Sequence, residues 1–397
     1  MDVFRSIMFL IPCISLSLIL SFYAAVDGRS TTLSNIGELQ LGKKLADPVK
    51  TIETRHGDTI DCVDIYKQPA FDHPLLKDHK IQMSPSFSQK HDVQNIATSS
   101  SSITIEMIQE GCPRGTVPIR RGAKEELTTA KTSFREQFPN FTTQSADDQP
   151  KLLYAGYSTK AGTGPHYTAG GTVCVNNPNV APGQLSGSVL SVEGGPPEQF
   201  SAIRVGWIVN KNQFGDGRTH LYSVWGQATN GVMQGCYNTD CPGFVQIDKT
   251  IPLGMVFDQV SVAGGTQYYV NLQIQQDKAS GNWWLIYAGS IKIGYWPSSL
   301  FTNLHGGADI LRWGGQVTSS SAHLPPMGNG KADDSGSLYM EIAIDDRSAS
   351  SLDDPAVASL EKLETGCYKV GDLNRKDDYH GYRFWFGGSG GDVQQCS

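Results

Sequence analysis

The residues able to do chemistry fall in a few places along the chain. Glu193 and Glu198 flank the turn S-V-E-G-G-P-P-E, which leads into S-A-I-R-V-G-W-I-V at Ser201–Val209. Two carboxylates can share acid–base work when one stays ionised and the other protonated, although a solvated turn is the plainer reading of this pair. Gly387-Gly388-Ser389-Gly390-Gly391 has the written form of a nucleophile elbow. That elbow needs a strand before it and a helix after it, and a glycine-rich tail running straight into Cys396 is expected to supply neither. No H-E-x-x-H occurs and the nine histidines do not pair at helix spacing. His73 and His79 are candidates for sensing acid, against the plainer reading of exposed imidazoles. Cys236 and Cys241, in C-Y-N-T-D-C, have no second Cys or His pair nearby at ligand spacing. A closed disulfide turn is therefore preferred to zinc, and neither a metal nor a cofactor is expected.

Arg5 is followed by an apolar run from Ile7 to Phe22, with Val26 and Gly28 three residues and one residue before a cut; this reads as a signal peptide over 1–28. At about 16 residues the run is just short of a membrane span, so no stable anchor is expected after cleavage. Loss of Cys13 with the signal leaves seven of the eight cysteines, an odd number. Near-neighbour placement favours Cys62 with Cys112, Cys236 with Cys241 and Cys367 with Cys396, leaving Cys174 over, although spacing does not prove connectivity. Such a set belongs to an oxidising compartment: extracellular, as in an apoplast or cell wall, or the lumen of the secretory pathway. The formal net charge of −7 gives no electrostatic footprint for nucleic acid.

The elements that must position these residues divide at about 147. Residues 29–147 form a polar leader in which Asp61–Ser86 reads as an extended, proline-punctuated wrapper. Ala123–Phe138 is a short helical candidate with Glu125 and Glu126 near its start, where the helix dipole favours them. Asn140-Phe141-Thr142 is an acceptor for glycosylation, and the polar run Thr143–Pro150 marks the boundary of a domain over 148–397. Within that domain Ile203, Val205, Trp207 and Val209 alternate onto one apolar face, which turns Arg204, Gly206 and Ile208 to the other. Similar runs at Thr219–Gly226, Gln267–Gln275, Trp283–Tyr287 and Ser337–Ala343, separated by turn signals, predict an all-β antiparallel sandwich or barrel.

Ordered blocks over nearly all of the chain after the signal resemble the neprosin family of glutamic peptidases. They include D-C-V-D-I-Y-K-Q-P-A-F-D-H-P-L-L-K and P-I-R-R in the leader. In the main domain they are V-G-W at Val205–Trp207, G-C-Y-N-T-D-C-P-G-F-V-Q, G-N-W-W-L, G-Y-W-P, R-W-G-G-Q at Arg312–Gln316, Gly366-Cys367-Tyr368 and Phe386-Gly387-Gly388. The resemblance implies a two-sheet, lectin-like sandwich with a cleft over one sheet, and an activation peptide in front of it. It also implies cleavage after proline at acid pH by two glutamates facing each other across the cleft. The matching positions here are Arg204 and Gln316. A guanidinium stays protonated at any working pH and has no lone pair with which to act as base, whereas glutamine can still donate to an oxyanion.

The expected protein is thus a secreted, neprosin-like pseudo-enzyme that binds a peptide or protein, with no intact catalytic pair. Two alternatives stay open: an acid endopeptidase using other carboxylates, and a carbohydrate-binding apoplastic protein. Arg204 and Gln316 are candidate ligand residues, against an internal salt bridge from Arg204 to Glu193, Glu198 or Asp309. Trp283, Trp284, Tyr287, Tyr295 and Trp296 form an aromatic group. Alternation is expected to bury one of Trp283 and Trp284 and leave the other free, so Trp284 and Tyr295 are candidates for a platform that stacks on a proline ring or a sugar face.

Overall fold

A computed structural model describes residues 47–87, 101–102, 108, 110–122, 134–141, 150–345, 356–375 and 381–396. The expected signal peptide and most of the helical candidate Ala123–Phe138 lie outside these residues; its last turn, 134–137, is helical. Among the described residues no helix is long and apolar enough to cross a membrane.

The leader supplies β1 (Lys50–Glu53), β2 (Thr59–Asp64), β3 (Ser101–Ser102) and β4 (Thr116–Arg120). Strands β5 (Lys151–Thr159), β6 (Thr168–Cys174), β7 (Gln184–Gly194), β8 (Ser201–Asn210), β9 (His220–Thr229) and β10 (Val232–Tyr237) follow. Next come β11 (Val245–Gln246), β12 (Tyr268–Gln276), β13 (Trp283–Tyr287), β14 (Ile291–Trp296), β15 (Ile310–Ser319) and β16 (His323–Leu324). The chain ends with β17 (Ser337–Asp345), β18 (Leu360–Leu363), β19 (Lys369–Val370), β20 (Asn374–Arg375), β21 (Tyr382–Gly387) and β22 (Gly391–Asp392).

Two sheets form the expected sandwich. One has seven strands in the order β10-β9-β8-β7-β15-β5-β18; the other runs β11-β14-β13-β12-β6-β17-β21-β19, with β20 added on β21 and β3 on β12. Their facing sides meet in one apolar core that holds Leu190, Ile203, Val205, Trp207 and Trp313 from the first sheet and Val173, Leu272, Ile274, Trp283 and Tyr339 from the second. Two buried indoles tie the layers together across this core. Trp207 Nε1 donates to the carbonyl of Cys174 at 2.9 Å and Trp313 Nε1 to that of Gly170 at 2.9 Å, so neither ring carries an unmet donor into the interior.

Alternation places Ile203, Val205 and Trp207 in this core and Arg204 on the outer face, as expected from the sequence. Yet every residue of β8 is buried, because the outer face is covered too. Ala202, Ile208, Tyr222 and Val224 pack there against Phe138, Phe214 and Tyr237, with Phe134, Phe141 and Phe200 at the margin.

The outer face of the second sheet is covered by the leader. Strands β1, β2 and β4 form a small sheet stapled by Cys62–Cys112. The extended, proline-punctuated stretch contains β2 and two 3-10 turns, Pro69–Asp72 and Pro74–Leu76, since proline sits well at the first position of such turns. The first of these turns lays Ala70 and Phe71, and the segment after them Ile81 and Phe87, on Val245, Trp284, Ile286 and Tyr295. Cys236–Cys241 and Cys367–Cys396 are also bridged, and Cys174 is a free, buried thiol. At the carboxyl end β21 does precede Ser389, but only the single turn Val393–Cys396 follows. Ser389 is exposed, and the bond of its hydroxyl found among the described residues goes to the carbonyl of Gly390, so the elbow is formal only.

Candidate functional site

The outer face of the seven-stranded sheet forms the floor of a cleft. Across it, Arg204 on β8 stands opposite Ser191 on β7, which stands opposite Arg312 on β15. Two rows along on the same face, Ile208, Gly187 and Gln316 are in register, with Tyr154 of β5 beyond Gln316. Gly206 lies between the two rows. A Cβ there would come within 2.4 Å of the carbonyl oxygen of Ser188, so glycine keeps the floor low between Arg204 and Ile208.

Arg204 is 5 % exposed and Gln316 wholly buried. Of the three acids considered as partners, Glu193 takes the role. Its Oε1 accepts from Arg204 Nε at 3.3 Å and Nη2 at 3.2 Å, and from Ser191 Oγ at 3.2 Å; its Oε2 accepts from Arg312 Nε at 3.1 Å. Glu198 lies in the turn Pro197–Gln199, and the carboxylate of Asp309 accepts from the backbone of Gly195. Burial alone would raise the Glu193 carboxyl, but Arg204 and Arg312 outweigh it and hold the group below the ordinary carboxylate range. Two guanidiniums and one carboxylate leave the cluster with a net positive charge. A carboxylate so held is a poor proton carrier near neutrality, and Arg204 is none at all.

Gln316 Nε2 donates to Tyr222 Oη at 2.8 Å and to Gln137 Oε1 at 3.1 Å, while Gln316 Oε1 and the Tyr154 hydroxyl are buried without a hydrogen bond. Burial raises the Tyr154 hydroxyl to about 12 and moves Tyr222 well above its ordinary value. Both therefore remain neutral hydrogen-bonding groups.

Residues 134–141 of the leader occupy this cleft, and the sequence reading did not place them there. Arg204 Nη1 donates to the carbonyl of Gln137 at 2.5 Å, and the Phe138 ring lies 4.6 Å from its guanidinium carbon. Thr318 Oγ1 donates to the carbonyl of Glu136 at 3.0 Å. The buried carboxyl of Glu136 accepts from Asn210 Nδ2 at 3.2 Å and Asn212 Nδ2 at 2.9 Å. Desolvation raises it to about 6, against the opposing pull of the two amides. Phe141 stacks on Phe200 with centroids 5.3 Å apart. Phe134 and Phe138, four apart in F-R-E-Q-F, were the available signal that this short helix has an apolar side.

The structure brings Arg204 and Gln316 together around Gln137, but it sets Trp284 and Tyr295 on the outer face of the other sheet. Alternation does separate Trp283 from Trp284, yet both are fully buried, because the leader covers the face that was expected to be free. Tyr295 Oη accepts from the backbone of Gln82 at 2.9 Å and meets His79 Nε2 at 2.8 Å. His73 contacts the Trp225 ring edge-on. Burial lowers both histidines from their ordinary value. The acceptor residue Asn140 belongs to the turn Pro139–Phe141, but its side chain is outside the described residues. No group of three or more His, Cys, Asp or Glu among the described residues is placed to hold a metal.

These features define a two-layer β-sandwich whose cleft carries an arginine–glutamate cluster and is filled by its own leader. The neprosin family model matches residues 182–389, and the model of the neprosin activation peptide matches residues 51–167; the chain belongs to the neprosin family. Residues 134–141 fall within the activation-peptide match, and Arg204 and Gln316 within the neprosin match. Among solved structures the chain is similar to scytalido-glutamic peptidase with a transition-state analog inhibitor, at 9% identity and a TM-score of 0.32 over 60% of this chain and 99% of that one. It is also similar to a native glycosidic hydrolase, at 10% identity and a TM-score of 0.18 over 46% and 82% of the two chains.

Proposed function

We propose that this chain is a secreted, non-catalytic member of the neprosin family that binds peptides in the cleft over Arg204 and Gln316 once residues 134–141 are displaced. The observation that carries the reading is the Arg204–Glu193–Arg312 cluster. At the position where the family resemblance implies a general base, the chain holds a fixed cation already paired with a buried carboxylate. The three disulfides support an oxidising compartment, and the leader over 29–147 is taken as a pro-segment that another protease removes. An endopeptidase built on other carboxylates has little to draw on. Glu193 is held ionised, and Glu136 sits on the leader itself and would depart with it. The direct test is to incubate the purified protein, before and after limited proteolysis in 142–149, with a proline-containing quenched peptide at acid pH. Binding after proteolysis without new peptide ends is expected. Cleavage that persists in a highly purified preparation and disappears on Glu193→Gln would overturn the non-catalytic reading.

A further inference from the structure

We infer that the ligand of this cleft is an acidic peptide segment with a glutamate followed by an aromatic residue, for which the chain's own Glu136-Gln137-Phe138 is a weaker stand-in. The inference rests on the cleft being a peptide site and says what that peptide must contain. Two contacts are blind to sequence: Arg204 reads the carbonyl of Gln137, and Thr318 that of Glu136. They fix direction and register. Three others read side chains. Asn210 and Asn212 aim amide donors at the carboxyl of Glu136. Gln316 aims one at the side-chain oxygen of Gln137. The Phe138 ring lies over the Arg204 guanidinium, among Ala202, Ile208, Tyr222 and Tyr237.

The fit is incomplete at Gln137, and the defect has a sign. Its buried Nε2 faces the hydroxyl of Tyr237, and among the described residues neither group has another partner. The phenol oxygen can take a hydrogen from this amide, but the hydroxyl's own hydrogen is then left without an acceptor. With glutamate in place of glutamine, Tyr237 would donate its hydroxyl hydrogen to the second carboxylate oxygen while Gln316 Nε2 keeps the first. The unmet hydroxyl hydrogen then gains a carboxylate acceptor, and such charge-assisted bonds are stronger than neutral ones. The wider electrostatics agree. Arg204, Arg312 and Glu193 together carry one uncancelled positive charge, screened in part where Arg312 reaches solvent, and a carboxylate at the place of the Gln137 amide would offset it. A buried cluster of net charge zero is cheaper to desolvate than one of net charge one. The amide at Gln137 cannot provide that neutralisation, which leaves the resident segment displaceable by a better ligand.

The experiment uses the full chain carrying Phe138→Ala, which removes the resident aromatic anchor. The probes are fluorescein-labelled octapeptides spanning Phe134–Phe141, with Gln or with Glu at the place of Gln137, and a third with Ala at the place of Phe138. The Glu peptide is expected to bind about tenfold or more tightly than the Gln peptide, the Ala peptide more weakly than both, and Arg204→Met in the same chain should abolish the preference for Glu. Equal binding of the Glu and Gln peptides would overturn this inference while leaving peptide binding intact. Failure of every peptide to bind, with hydrogen exchange showing residues 134–141 released, would remove peptide binding as well; cleavage of a bound peptide would instead remove only the non-catalytic reading. A second measurement needs no loosened chain. Gln137→Glu in the otherwise unaltered protein should slow amide exchange across 134–141 by about tenfold, and unchanged or faster exchange there would overturn the preference for glutamate.

Discussion

Arg204 and Glu193 form a buried ion pair, with Nε and Nη2 of the guanidinium 3.3 and 3.2 Å from one carboxylate oxygen. They are drawn together by strand pairing. Arg204 stands opposite Ser191, and Glu193, two residues further on the same face of β7, reaches back to it and across to Arg312. Arg204 stands at the position that the family resemblance matches to a glutamate, and the two guanidiniums hold the Glu193 carboxyl below its ordinary range.

If this cluster holds the cleft floor, Glu193→Gln should be costly. It leaves Arg204 buried with no anion, and removing one partner of a buried pair typically costs about 3–5 kcal/mol. Urea unfolding of the full chain should show a loss in that range. A loss under about 1 kcal/mol, the level of an exposed pair, would mean that water reaches the cluster.

The docking of residues 134–141 should depend on pH in a set direction. The Glu136 carboxyl is raised by burial from 4.5 to about 6, so its contribution is fully present below its ordinary pKa and is lost as pH rises through the docked value. The shift corresponds to about 2 kcal/mol of docking free energy between mild acid and neutrality. Amide exchange across the segment should therefore be slower in mild acid than near neutrality after correction for intrinsic rates, and Glu136→Gln should flatten the difference. A segment that loosens on acidification would contradict the assignment.

The leader's hold on the other sheet should have the opposite sign. The carboxylate of Asp277 accepts from the Gln82 side chain, from the Ser86 hydroxyl and from the Ser86 backbone, the last at 2.8 Å. Burial would raise this carboxyl, but the bonds from Ser86 and Gln82 prevail and lower it. The clasp is present above the ordinary pKa of aspartate and is lost as pH falls through the lowered value. Asp277→Asn should increase proteolysis near residues 82–87 at neutral pH while leaving 134–141 protected. Equal loss at both places would mean that the two halves of the leader release as one unit.

Much of this was legible in the residues. Alternation along Ser201–Val209 put Arg204 on the outer face, since a strand offers only two sides. Cysteines next to one another in sequence order paired as expected, and only Cys236–Cys241 closes a short loop. The choice of Glu193 over Glu198 and Asp309 was not legible, because it depends on the register between β7 and β8, which no local pattern encodes. Trp284 and Tyr295 were misjudged for a related reason. Alternation correctly put Trp284 on the face opposite Trp283, but whether that face meets water depends on a segment some two hundred residues away. The cleft filler F-R-E-Q-F-P was likewise visible only as a short amphipathic turn, with nothing in it to say which surface it would meet.

Restoring the family's pair is the strongest test of the proposed reading of the cleft, and the place of Glu193 beside Arg204 calls for a third substitution. Arg204→Glu with Gln316→Glu would set the new residue 204 carboxylate beside Glu193, which would then raise its pKa by like-charge repulsion at a site meant to hold an ionised base. Adding Glu193→Gln removes that neighbour and leaves Arg312 as the nearby cation. The triple variant, trimmed in 142–149 so that residues 134–141 can leave, should cleave a proline-containing quenched peptide at acid pH above the background of the unaltered protein. It should also lose the preference for glutamate-bearing peptides, since the positive charge at 204 is gone. A folded triple variant that neither cleaves nor changes its peptide preference would show that Arg204 does not face the ligand; one that loses the preference but gains no cleavage would show that the contacts aligning a scissile bond have decayed along with the catalytic pair.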